Sequence, residues 1–80
     1  MSSVNVKKLL KEGNIMFSKV TLSGLVYLID IPNNGQVSLS SQKDMASQIS
    51  SLQRILRQLT IEGKQFKSID FRFNEPIISF

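Results

Sequence analysis

The spacing of apolar residues changes period along this chain, and the changes mark its elements. In "VKKLLKEGN", Val6, Leu9 and Leu10 share one side while Lys7, Lys8 and Lys11 face the other. That is the pattern of a short helix, closed by Gly13 or Asn14. "IMFSKVTL" follows with β-branched and aromatic content, Ser23-Gly24 is a turn signal, and "LVYLIDI" reads as a second strand. A tight turn at Ser23-Gly24 predicts Leu22 opposite Leu25, Val20 opposite Tyr27 and Met16 opposite Ile31, all on one face. In "PNNGQVSL", a turn confined to Asn34-Gly35 would mix apolar with polar partners. A loop of Asn33, Asn34 and a left-handed Gly35 instead sets Ile31 against Val37 and Ile29 against Leu39, which continues the same apolar face.

"SQKDMASQISSLQRILRQLTIEG" returns to helical spacing. Ser41 followed by Asp44 has the form of a capping box. Met45, Ile49, Leu52, Leu56 and Leu59, with Ile55 beside them, make a core stripe. Gln48, Gln53, Arg54, Arg57 and Gln58 fall mostly away from it, and Gly63 is placed to end the helix. Beyond it, Ile69, Phe71 and Phe73 alternate with Ser68, Asp70 and Arg72 as in a half-buried strand, and the chain ends on Pro76-Ile77-Ile78-Ser79-Phe80. The order α-β-β-β-α-β-β predicts an α+β fold: a mostly antiparallel sheet with one long helix packed on one face, residues 1–80 forming one small domain. A return around Asn74-Glu75 sets Ile69 opposite Phe80, Phe71 opposite Ile78 and Arg72 opposite Ile77. Pro76 has no N–H to close a tight turn there, so the loop is expected to be wider.

Composition narrows the chemistry. With no cysteine and no histidine, disulfides, the usual zinc sites and His- or Cys-based nucleophilic catalysis are excluded. Among the carboxylates, Asp44 is taken up by a cap and Glu12, Glu62 and Glu75 sit at element ends. Asp30 and Asp70 alone could meet across a sheet, with nothing cleft-like around them. The glycines stand singly, so no phosphate-cradling loop exists. No catalytic residue, cofactor or metal ligand is therefore predicted, and the chain is not expected to be an enzyme. Tyr27 falls on the core face, and Asp70 with Arg72 reads as a pair on the polar face of one strand.

Net charge is +4, but the basic residues are scattered instead of gathered with aromatics, so a solvated surface is expected and no nucleic-acid partner. The alternative, a small basic nucleic-acid-binding α/β domain, would show itself by salt-dependent binding. The longest apolar run, Leu25 to Ile29, is far short of the roughly 20 residues of a membrane span, and the start lacks the apolar core of a signal peptide.

The stretch "KDMASQISSLQRILRQL…FKSIDFRF…PIISF" resembles the C-terminal part of the extracytoplasmic region of the bacterial cell-division family FtsQ, or DivIB. There a leucine-rich helix precedes an Ile/Val-Asp-hydrophobic-Arg-aromatic strand, a turn and a final apolar strand. Ile69, Asp70, Phe71, Arg72 and Phe73 match that strand, "VKKLLKEGN" resembles the helix that opens this part, and "FSKVTLSGLVYLIDIPNNGQVSLSSQKD" resembles its hairpins. The chain departs from the family in "SLSS" before the helix, where many members have glycine, and in lacking the membrane span and POTRA domain that precede this part.

The resemblance implies a non-enzymatic divisome scaffold on the extracytoplasmic side of the membrane at the septum, held there through an upstream span. It implies protein partners of the FtsB and FtsL kind, which add a strand to the last strand of the sheet, and the part represented here is expected to be monomeric. The residues expected to carry partner binding are Arg72, Ile77, Ile78, Ser79 and Phe80. Apart from the resemblance, an apolar terminal strand without a charged gatekeeper is either covered by its own fold or open to another chain.

Overall fold

The computed structural model describes residues 5–80. Asn5 opens helix α1 (Val6–Glu12), its side-chain oxygen accepting from the Lys8 N–H at 3.1 Å. Gly13 caps its C-terminus, and Asn14 takes the left-handed conformation with φ of 58°. Strands β1 (Lys19–Ser23), β2 (Val26–Asp30) and β3 (Gln36–Ser40) follow, then helix α2 (Met45–Glu62) and strands β4 (Ser68–Asp70) and β5 (Ile77–Ser79). The sheet order is β1-β2-β3-β4-β5. All neighbours are antiparallel except β3 and β4, which are parallel and joined through α2 as a βαβ unit. The α+β class, element order and long helix agree with the sequence pattern.

The helices and the inward sheet face enclose one core. Ile29, Val37, Leu39 and Ile69 meet Leu10, Ile49 and Leu52 there, with Phe66 and Phe71 closing it beside β4. The opposite face carries the cross-strand row Thr21, Leu28, Ser38, Asp70 and Ile77, and no residue of the apolar core. An antiparallel sheet with one covered face has this alternation.

All three antiparallel registers differ from expectation by two residues. Val20 pairs with Ile29 instead of Tyr27, Val37 with Ile29 instead of Ile31, and Ile69 with Ile78 instead of Phe80. A shift of two preserves the face of every side chain, so hydrophobic patterning alone does not choose between these registers. The turns choose. Gly24, at φ of 60°, is the first central residue of a Gly24-Leu25 turn, and Leu25 becomes an exposed tip. In the second hairpin the left-handed residue is Asn33, at φ of 64°, not Gly35. Gly35 is required for another reason: a Cβ there would lie 1.7 Å from the Lys67 carbonyl oxygen. Its N–H donates to the Phe66 carbonyl at 2.8 Å, bringing the approach to β4 alongside β3.

The helix cap also differs. Asp44, not Ser41, is the N-cap of α2, its carboxylate accepting from the Ser47 N–H at 2.9 Å. Ser41 instead donates both N–H and hydroxyl to the Leu25 carbonyl, each at 2.8 Å, tying the α2 approach to the first hairpin. Gly63 ends α2 in the left-handed conformation as expected.

Gln48, read from the sequence as facing away from the core, is buried. Its Oε1 accepts from the Ser40 N–H and its Nε2 donates to the Ser40 carbonyl, both at 2.8 Å. Ser40 lies on β3 beyond the end of its pairing with β4, and its main-chain groups are on the side where β4 would continue. The Gln48 amide takes the place of the missing strand residue, which removes two buried unsatisfied groups.

Candidate functional site

β5 is an edge of the sheet, so among the described residues its far side has no strand neighbour. The direction of its main-chain groups follows from β4. The Lys67 carbonyl accepts from the Gln36 N–H at 3.1 Å and the Phe71 N–H donates to the Ser38 carbonyl at 2.8 Å, so Ile69 between them addresses β3. The Lys67 N–H, just before the strand, already turns to the Ser79 carbonyl at 2.7 Å. Ser68 and Asp70 therefore address β5, and their partners Ser79 and Ile77 turn their own N–H and C=O inward. Ile78, between them, directs its N–H and C=O out from the free edge.

Side chains alternate at right angles to that pattern. Ile78 packs against the core beside Ile69, and Ile77, half exposed, lies on the open face beside Asp70. Ser79 is exposed. Phe80 was expected in the core, but the two-residue shift carries it past the paired part of β4. It is 62% exposed, with the Lys64 ammonium 5.7 Å from its ring centre. The segment from Pro76 to Phe80 contains no charged side chain. The opposite edge, β1, begins with Lys19.

Asp70, not Arg72, is opposite Ile77. The strand predicted through Phe73 stops at Asp70 because its carboxylate accepts from the Arg72 N–H at 2.9 Å, an Asx-type turn that bends the chain away. The same carboxylate takes the Arg72 guanidinium at 2.6 to 3.0 Å. Those side-chain bonds hold the Asp70 carboxyl below its ordinary range, and they raise Arg72. Phe73, expected to alternate into the core, is 52% exposed, its ring 5.7 Å from the guanidinium. The loop is secured from the other side by Lys43, whose ammonium donates to the Phe71 carbonyl at 3.1 Å and to the Phe73 carbonyl.

Arg72 and Ile77 thus line one shallow concavity with Phe73, Asn74, Glu75 and Pro76, at the foot of the free edge. Ile78 contributes main chain, while Ser79 and Phe80 lie further along. Comparison with protein-family models, with curated proteins and with solved structures finds no match to this chain. The Asp-x-Arg element on which the FtsQ/DivIB resemblance leans is a strand end followed by a turn, not the continuous strand expected from Ile69 to Phe73.

The two strand carboxylates are not brought together. Asp30, on β2, accepts from the Gln36 side chain at 3.1 Å, whereas Asp70 sits two strands away on β4, in the row of Ser38, two residues along β3 from Gln36. Among the described residues no group of three or more metal-ligating side chains gathers, and no helix is long and apolar enough to cross a membrane. Lys43 and Gln48 shape the surroundings of β4, whereas the sequence pattern placed Gln48 away from the core and assigned Lys43 no role. The Lys43 partners are backbone groups 28 and 30 residues away, and the Gln48 partner is the main chain of Ser40 eight residues back, so only the position of Gln48 beside Ile49 in the helical repeat hints at burial.

Proposed function

We propose that this domain is a non-enzymatic binding module that receives an extended segment of a partner protein along the outer edge of β5. The observation that carries this is an uncharged edge strand with Ile78 N–H and C=O directed outward and Ile77 half exposed beside them. Strand addition supplies main-chain hydrogen bonds from such an edge and side-chain contacts from alternate positions. Arg72 and Ile77 offer those contacts on the open face. The biological setting proposed is the bacterial division site, with partners of the FtsB and FtsL kind, and it rests on the sequence resemblance alone.

The test uses peptides tiled along FtsB- and FtsL-type proteins, titrated into the labelled domain. Ile78→Ala removes packing, and Ile78→Pro also removes the outward N–H while sparing the inward bonds of Ile77 and Ser79. Binding is expected to survive the alanine better than the proline. Ile77→Lys is expected to weaken binding by placing a charged gatekeeper at the edge. Proline at Ser79 is not the right probe, because that N–H faces β4. Binding indifferent to Ile78→Pro and Ile77→Lys contradicts the strand-addition reading. Binding of extended peptides other than those from division proteins, with the same sensitivities, supports the module and removes its division setting.

A further inference from the structure

We infer that a second surface, between α2 and the two loops at its side, binds an acidic, apolar-anchored segment of a partner protein. Met16 is 77% exposed and Ile61 73%, the two most exposed large apolar side chains among the described residues, and both line one groove. The groove has a volume of about 520 Å³. It runs between the last turns of α2, the segment after α1 and the β2–β3 loop. Ile15 and Ile31, both buried, form its floor, and half-buried Leu56 contributes to its wall.

The sequence pattern placed Met16 opposite Ile31 in a strand. The strand begins only at Lys19, so residues 15–17 cross the surface without a β partner and leave Met16 at the rim. Ile61 lies outside the core stripe of α2. Among the described residues, neither side chain belongs to the core or to the apolar residues packed against it.

Charge selects the occupant. Arg57 lines the groove, and an adjoining hollow that shares Asn14, Ile15 and Met16 is flanked by Lys7 and Lys11. Neither hollow is lined by a carboxylate among the described residues. Among the described residues, Lys7, Lys11 and Arg57 take part in no ion pair, the pairs being Lys64 with Glu62 and Arg72 with Asp70. An apolar floor between unpaired cations is complementary to a segment that places a large apolar side chain between Asp or Glu residues. The recessed floor favours a protruding peptide side chain over a membrane, since a flat surface would touch only the rim.

The experiment measures binding of a short fluorescent peptide with Leu and Phe anchors among glutamates, alongside the same peptide with lysines for glutamates. The acidic peptide is expected to bind, more weakly as salt rises, and to shift the amide signals of Met16, Arg57 and Ile61. Arg57→Glu is expected to weaken it by about tenfold or more, and Met16→Ser with Ile61→Ser to abolish it. Unchanged thermal melts are expected of these exposed substitutions and confirm that the fold is intact. Ile77→Lys should leave this binding unaltered, which separates it from the β5 edge. Equal affinity for the acidic and lysine peptides, or insensitivity to Arg57→Glu, overturns the inference. So does binding of phosphatidylglycerol vesicles through Met16 and Ile61 without peptide binding.

Discussion

At the residue scale, three positions hold the β3–β4 region in place: Gln48, Gly35 and Asp70. Gln48 completes the side of β3 where β4 has ended, so Gln48→Leu leaves the Ser40 N–H unpaired in the interior and its C=O with only the long Lys43 N–H contact at 3.5 Å. The expected cost is about 1–3 kcal/mol, read from urea unfolding. Gly35 is held by contact with the Lys67 main chain, and Gly35→Ala is expected to separate the β2–β3 loop from the β4 approach. A lowered melting temperature accompanied by shifts at Phe66 and Lys67 amides checks it. Asp70 makes the third case. Its folded-state pKa lies below the ordinary 3.8, chiefly through the Arg72 side chain, so the folded protein binds fewer protons than the unfolded one. The stability this confers is complete above that ordinary value and is lost as pH falls through the lower folded-state value. Asp44, lowered by Ser47, acts with the same sign. Asp70→Asn should therefore lower the melting temperature at neutral pH and flatten its decline on acidification. A decline as steep as that of the unaltered protein contradicts this assignment.

At the scale of elements, the sequence specified faces better than ends. Helical period located the α2 stripe, and alternation assigned the inward residues of the sheet, because burial of one face is what those periods record. Registers were less legible: a slip of two residues conserves the face, and the choice falls to Gly24, Asn33 and the Asp70–Arg72 turn. Burial also separates two leucines that the stripe treats alike. Leu52 is fully buried and Leu56 only partly so. Leu52→Ala is expected to cost about 2–5 kcal/mol, and Leu56→Ala less, by chemical denaturation. Likewise, Asp44→Ala should reduce α2 helicity more than Ser41→Ala, because Asp44 is the residue that caps it. Lys43→Met, which releases the Phe71 and Phe73 carbonyls, should loosen the β4–β5 loop and broaden the amide signals of residues 71–76.

For the whole molecule, the arrangement puts the core and the two proposed binding surfaces on different structural features. One layer of helices closes the inward face, leaving the β5 edge as a main-chain site. The charge-free end of the sequence left open whether the last strand is covered or free, and the direction of its main chain was not legible: outward exposure of Ile78, with Ile77 and Ser79 turned inward, depends on the register and on the parallel pairing of β4 with β3. That difference supplies the most direct test of strand addition. Amide hydrogen exchange on the free domain should show Ile77 and Ser79 protected and Ile78 exchanging rapidly, and a saturating bound partner segment should bring Ile78 under protection as well. An Ile78 amide already protected in the free domain, or still exchanging rapidly in the saturated complex, would contradict the account.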